Sequence, residues 1–171
     1  VPIVEADLIF RLSGTVSNTD PNLSIGGAMS TVAGGIVDTD VLNNDMDDIS
    51  SDEAAAGITI YHGYYYENTN GSLTWTIPVF FIESQTSSGD TNVNIAIALE
   101  AKNVDIETLV NEETTPTGIT FTAPANKAAG IAIGDLDPAD NRGFWVEYIV
   151  NAGSGTTLDD YTIEAEGDTQ P

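Results

Sequence analysis

The chain has 171 residues, with 27 acidic side chains against four basic ones, no cysteine and a formal net charge of −23. Hydrophobic residues make up 41%, enough to build a core, which excludes wholesale disorder; the missing cysteines exclude disulfides and thiolate metal sites. The cations Arg11, Lys102, Lys127 and Arg142 are scattered, and so few cannot form the clustered patch that nucleic acid or an anionic membrane needs.

In chain order the pattern is almost wholly β. Short runs rich in Val, Ile, Thr and Tyr alternate with clusters of Gly, Asn, Asp, Ser and Pro, and few segments carry a helical period. Glu5 to Leu12 reads as a first strand with Leu8, Phe10 and Leu12 on one face. The polar, Gly-rich stretch Ser13 to Gly27 reads as a long loop, and Thr31 to Val37 as a short strand. Asn43 to Ala56 is the most acidic stretch, with a helical turn expected at Ser51 to Ala56 capped by Ser51 or Asp52.

Gly57 to Glu67 and Ser72 to Ile82 read as the two arms of a hairpin, because Asn70-Gly71 supplies the positive-φ positions of a tight turn. Thr91 to Leu99 alternates with Val93, Ile95, Ile97 and Leu99 facing one way. Short strands follow at Ile119 to Thr122 and Ala129 to Ile133, and longer ones at Gly143 to Asn151 and Tyr161 to Glu166. In Ile131-Ala132-Ile133-Gly134-Asp135-Leu136-Asp137-Pro138 a strand stops at Gly134, Leu136 is placed to plug the core, and Asp137-Pro138 turns the chain toward the next strand. These elements define a single domain over residues 1–171. It is all-β, a two-sheet antiparallel β-sandwich of immunoglobulin-like or jelly-roll-like kind, with residues 1–12 an N-terminal arm or an edge strand.

No catalytic constellation is legible. His62 is the lone histidine and reads as a strand residue on a sheet face; there is no nucleophile elbow and no phosphate-cradling Gly loop. The run Asp38, Asp40, Asn43, Asp45, Asp47, Asp48, Asp52, Glu53 resembles a calcium loop only at first glance. Counting from Asn43, the sixth position is Asp48 rather than Gly and the twelfth is Ala54 rather than Glu, which removes the sharp turn and the bidentate ligand. Asp135, Asp137 and Asp140 form a second small acidic cluster. No catalytic, cofactor or metal residues are therefore assigned. Tyr64-Tyr65-Tyr66 alternates across a strand, with core, protein interface and sugar contact as the open alternatives for its two faces. With Trp145 and Tyr148, these residues are the candidate interface.

A surface this acidic repels itself at ordinary ionic strength, and concentrated salt removes that cost. Adaptation to brine is the simplest explanation; mimicry of DNA, calcium binding and masking of a basic partner are the others. The N-terminus shows no charged start before an apolar core, so no signal peptide is expected, and no apolar run approaches the ~18 residues of a membrane span.

Three stretches resemble a known family. They are Ala6-Asp7-Leu8-Ile9-Phe10-Arg11-Leu12-Ser13-Gly14 with Asn18-Thr19-Asp20-Pro21 and Ser24-Ile25-Gly26-Gly27; Thr117-Gly118-Ile119-Thr120-Phe121-Thr122-Ala123-Pro124 with Ile133-Gly134-Asp135-Leu136; and Glu166-Gly167-Asp168-Thr169. Together with Ala54-Ala55-Ala56-Gly57, Asn70-Gly71-Ser72-Leu73 and Trp145, they are similar to a family of small virion structural proteins of tailed bacteriophages. That family carries basic residues after the Trp of the penultimate strand, where this chain has Val146-Glu147-Tyr148. The resemblance implies a non-enzymatic protein of a haloarchaeal tailed virus, located in the virion. It would be a capsid decoration protein or a tail or baseplate component, homo-oligomeric, with capsid or tail subunits as partners and no cofactor. The alternatives are a receptor- or glycan-binding tail-fibre module and a secreted or cell-surface sandwich domain of a halophile.

Overall fold

The computed structural model describes residues 2–37, 45–46, 49–86, 90–154 and 159–170. Seven strands follow in chain order: β1 (Leu8–Leu12), β2 (Ile58–Asn68), β3 (Thr74–Gln85), β4 (Thr91–Ile97), β5 (Ile131–Ala132), β6 (Asn141–Val150) and β7 (Tyr161–Gln170). They form two antiparallel sheets, one of four strands in the order β1-β2-β6-β4 and one of three in the order β5-β3-β7. The two-sheet antiparallel sandwich expected from the alternation is the observed fold.

The period of two places every second side chain between the sheets. From the larger sheet come Leu12, Ile60, Tyr64, Tyr66, Val93, Ile95, Phe144 and Val146; from the smaller one Trp75, Phe80 and Ile82. Aromatic rings interlock at the centre, with Tyr66 stacked on Phe144 at 4.9 Å and Phe80 tilted against Phe144 at 5.2 Å. Leu136, fully buried, plugs one end and bridges Trp75 as the chain passes from the smaller sheet to the larger.

The outer face of the larger sheet is not left to solvent. Irregular segments covering 13–30 and 98–121 lie over it and bury a second apolar cluster of Tyr61, Tyr65, Ala98, Ile106, Leu109 and Trp145. Ile106 enters a gap that two strand glycines leave open. A Cβ on Gly143 would sit 2.2 Å from Ile106 Cγ2, and one on Gly63 2.6 Å from its Cδ1.

Several local expectations are corrected. β2 and β3 are not a hairpin: they lie in different sheets, and Gly71 does not take a positive φ. The connection is a sheet-to-sheet arch, built by side chains. Buried Asn68 donates from Nδ2 to the carbonyls of Leu73 and Leu136, each at 2.9 Å, and accepts from Asn70 N–H at 3.0 Å. Asn70 Oδ1 then accepts from the N–H groups of Ser72 and Leu73. Thr31–Val37 is no strand but a 3-10 turn at Ala33–Gly35 with a single bridge from Ile36 to Arg11. The helix at Ser51–Ala56 is capped by Ser50 rather than Ser51 or Asp52. Its Oγ accepts from Glu53 N–H while the Glu53 carboxylate returns to Ser50 N–H, a reciprocal box. Ile119–Thr122 contributes one bridge, Thr122 to Ile95. Leu99 is 67% exposed because the strand ends at Ile97 and Ala98 turns inward instead.

β3 carries a bulge where Ile77 and Pro78 stand opposite Gly167 alone. Ile77 has φ of 51°, and Asp135 Oδ1 holds its N–H at 2.8 Å. Gly167 is required there, since a Cβ would lie 2.5 Å from Trp75 Nε1 and 2.9 Å from Thr76 O.

Candidate functional site

The residues expected at an interface lie inside the molecule. Tyr64, Tyr65 and Trp145 are at most 1% exposed and Tyr66 8%, while Tyr148 is half-buried beside Tyr161. Tyr64 and Tyr66 face the central core, as their alternation with Tyr65 requires. Tyr65 faces outward from the sheet but lies beneath the covering segments, where its hydroxyl donates to Gly27 O and accepts from Ile106 N–H. A long irregular cover buries the face that alternation alone leaves open. Burial raises the Tyr65 hydroxyl to about 12 and also pushes those of Tyr64 and Tyr66 well above their ordinary value.

His62 also sits inside, at one end of the core. Nδ1 donates to Asp45 O at 2.9 Å, and Nε2 lies 3.4 Å from Glu112 Oε2. The hydroxyls of Tyr64 and Tyr161 donate to the same Asp45, one to its carbonyl and one to its carboxylate. The hydrogen bond from His62 holds the Glu112 carboxyl below the usual range, against the opposing effect of partial burial. The cluster ties residue 45 to β2 and β7, so its polar atoms satisfy one another. Most of the acidic run around it (Asp38, Asp40, Asn43, Asp47 and Asp48) lies outside the described residues.

The second acidic cluster is a turn gathered around one cation. Lys102 Nζ reaches Asp140 Oδ2 at 2.5 Å, Asp137 Oδ2 at 3.5 Å and Asp135 O at 3.4 Å. Asp137 also accepts from Thr74, and Asp140 from Asn103. Burial pushes the Asp140 carboxyl up, yet these donors together hold it below its ordinary value. Among the described residues no group of three His, Cys, Asp or Glu side chains is arranged to hold a metal ion. A depression of about 250 Å3 lined by Gly14, Asn18, Leu23, Ile25 and Thr108 is mainly apolar and carries no charged side chain.

The feature with functional consequence is a strand edge. Three of the four sheet edges are protected. Beside β1, Val37 N–H donates to Phe10 O and Ser30 N–H to Leu12 O. Along β4, Ile95 exchanges main-chain bonds with Thr122, and Gln85 Oε1 accepts from Val93 N–H. The β5 edge is two residues long. β7 differs: it pairs with β3 over its whole length on one side, from Tyr161 opposite Gln85 to Gln170 opposite Thr74. On its other side no main-chain hydrogen bond runs to another segment among the described residues. Among the described residues, other segments reach it by side-chain bonds at its two ends: the Tyr161 hydroxyl donates to the Asp45 carboxylate, and Ile3 N–H donates to Thr169 Oγ1.

Glu164, Glu166 and Asp168 stand on alternate positions of this strand, and Glu83 of the neighbouring strand shares their face. Slight burial and the charges of Glu83 and Glu166 raise the Glu164 carboxyl, with Lys127 opposing them. Lys127 itself bonds Glu166 at 3.0 Å. The sequence signal was present in Glu164-Ala165-Glu166-Gly167-Asp168, an acid on every second residue, but nothing local says which edge of a strand stays open.

Comparison with protein-family models, with curated proteins and with solved structures finds no match to the chain.

Proposed function

We propose that the protein is a non-enzymatic structural component of a tailed virus of a halophilic host, either a capsid decoration protein or part of the tail or baseplate. Its partners would be neighbouring capsid or tail subunits, including further copies of itself. The observation that carries this is the combination of a two-sheet sandwich with one long strand edge that has no main-chain partner among the described residues. Such an edge presents a row of main-chain donors and acceptors, which proteins ordinarily cover unless another chain is to pair there. The family-like stretches and the acidic surface support the same conclusion, the latter because it would keep a particle dispersed in brine. A glycan-binding module would present exposed aromatic rings, and Tyr64, Tyr65 and Tyr66 offer none.

Immunogold electron microscopy of virus particles with antiserum to this chain tests the proposal. Gold over heads indicates a capsid-lattice protein, and gold on tails or their tips a tail component. Label on cell envelopes with none on particles overturns it.

A further inference from the structure

We propose that the open edge of β7 receives an extended segment of a neighbouring protein carrying Lys or Arg at alternate positions, which adds as a fourth strand to the smaller sheet. The proposal rests on the assembly function above and names the chemistry of the neighbour that this function needs. Two independent properties of the edge point to it.

The first is the main chain. An antiparallel partner would find a ladder the length of β7, ten residues, which is longer than an average strand. An edge of this length with no main-chain partner among the described residues is a template for pairing. The covered state of β1 and β4 shows how this fold closes an edge when no partner is to bind there.

The second is charge. Alternate residues of a strand lie about 6.8 Å apart on one face. Glu164, Glu166 and Asp168 therefore form a row, flanked by Glu83, with Lys127 as the cation beside it among the described residues. A second copy of β7 is a poor occupant. An antiparallel β7 pair centred on Ala165 sets Glu164 against Glu166 twice, and one centred on Gly167 sets Glu166 against Asp168 twice. Like charges directly opposite oppose pairing. A basic segment in the same place puts each cation across from a carboxylate. This chain has no such segment, since its four cations are isolated from one another, so the occupant comes from another protein. Molar salt shortens screening to about 3 Å, which removes long-range attraction but leaves the contact pairs and the main-chain ladder.

The test uses the full chain and a synthetic peptide of about ten residues in which Lys alternates with Val or Thr, both strand formers. Binding is read by fluorescence anisotropy and by hydrogen exchange, at salt concentrations where circular dichroism shows the chain folded. The expected result is saturable binding with new protection at every second amide of β7. Replacing Lys by Glu in the peptide, or N-methylating its alternate amides, should abolish it. The double variant Glu164→Lys, Glu166→Lys should bind the Lys peptide about tenfold more weakly and gain affinity for the Glu peptide.

Three results overturn the proposal: no binding by the Lys peptide, binding that survives N-methylation, or protection that falls outside β7. Concentration-dependent dimerisation with protection of β7 in the absence of peptide also overturns it, assigning the edge to a second copy instead. Particle labelling is scored separately, so gold on virions without peptide binding would refute this partner while sparing the virion role.

Discussion

Replacing Asn68 by Asp changes one atom group at the point where the chain passes from the larger sheet to the smaller. The carboxylate keeps an acceptor for Asn70 N–H but loses both hydrogen bonds donated by Nδ2 to Leu73 O and Leu136 O. Leu136 O still accepts from Trp75 N–H, so it is not orphaned, whereas the second bond to Leu73 is lost outright. Two net hydrogen bonds at about 1 kcal/mol each, plus a buried negative charge facing two carbonyl oxygens, come to about 3 kcal/mol. That is a large share of the roughly 5–15 kcal/mol that holds a domain of this kind together. Burial and the adjacent carbonyls raise the new carboxyl above its unfolded value of about 4. The folded state then binds the extra proton, so stability falls as pH rises from about 4 through the folded value, and the defect is smallest in acid. Urea titration at constant salt, at about pH 4 and about pH 7, measures this. With a urea slope of about 2 kcal/mol per molar, the neutral-pH midpoint should drop by about 1.5 M. A loss below about 1 kcal/mol at neutral pH, with no dependence on pH, would refute the view that this amide holds the arch.

Other consequences follow from the same structure. Ile106→Ala should cost about 2–4 kcal/mol by emptying the gap over Gly63 and Gly143, and should redden Trp145 emission as its cover loosens; an unchanged spectrum and stability would show that the outer layer is not packed as described. All six tyrosines have hydroxyls held above their ordinary value, chiefly by burial. A raised folded value means the native state keeps its protons longer, so stability declines as pH climbs past about 10. Tyrosinate absorbance should therefore appear in one cooperative step with alkaline unfolding, and stepwise ionisation of a still-folded chain would contradict the burial. Under the proposed adaptation to brine, the melting temperature should rise between about 0.1 and about 3 M KCl as carboxylate repulsion is screened; a flat response removes that explanation of the charge.

What the amino-acid order alone determined is whatever depends on period and immediate neighbours. Leu8, Phe10 and Leu12 on one face, Tyr64 and Tyr66 opposed to Tyr65, and Leu136 as a plug before Asp137-Pro138 all follow from alternation and turn chemistry, which act over a few residues. What only the tertiary structure decided is which surface each face meets. Asn70-Gly71 favours a hairpin locally. The two donors of buried Asn68 are instead satisfied by carbonyls at Leu73 and Leu136, the latter 68 residues away, and the chain crosses to the other sheet. Tyr65 and Trp145 become core because irregular segments fold over them, and irregular segments carry no period to announce where they will lie. That β7 pairs with β3 was hidden for the same reason: pairing is a relation between distant strands, and one strand's sequence specifies its faces but not its neighbours.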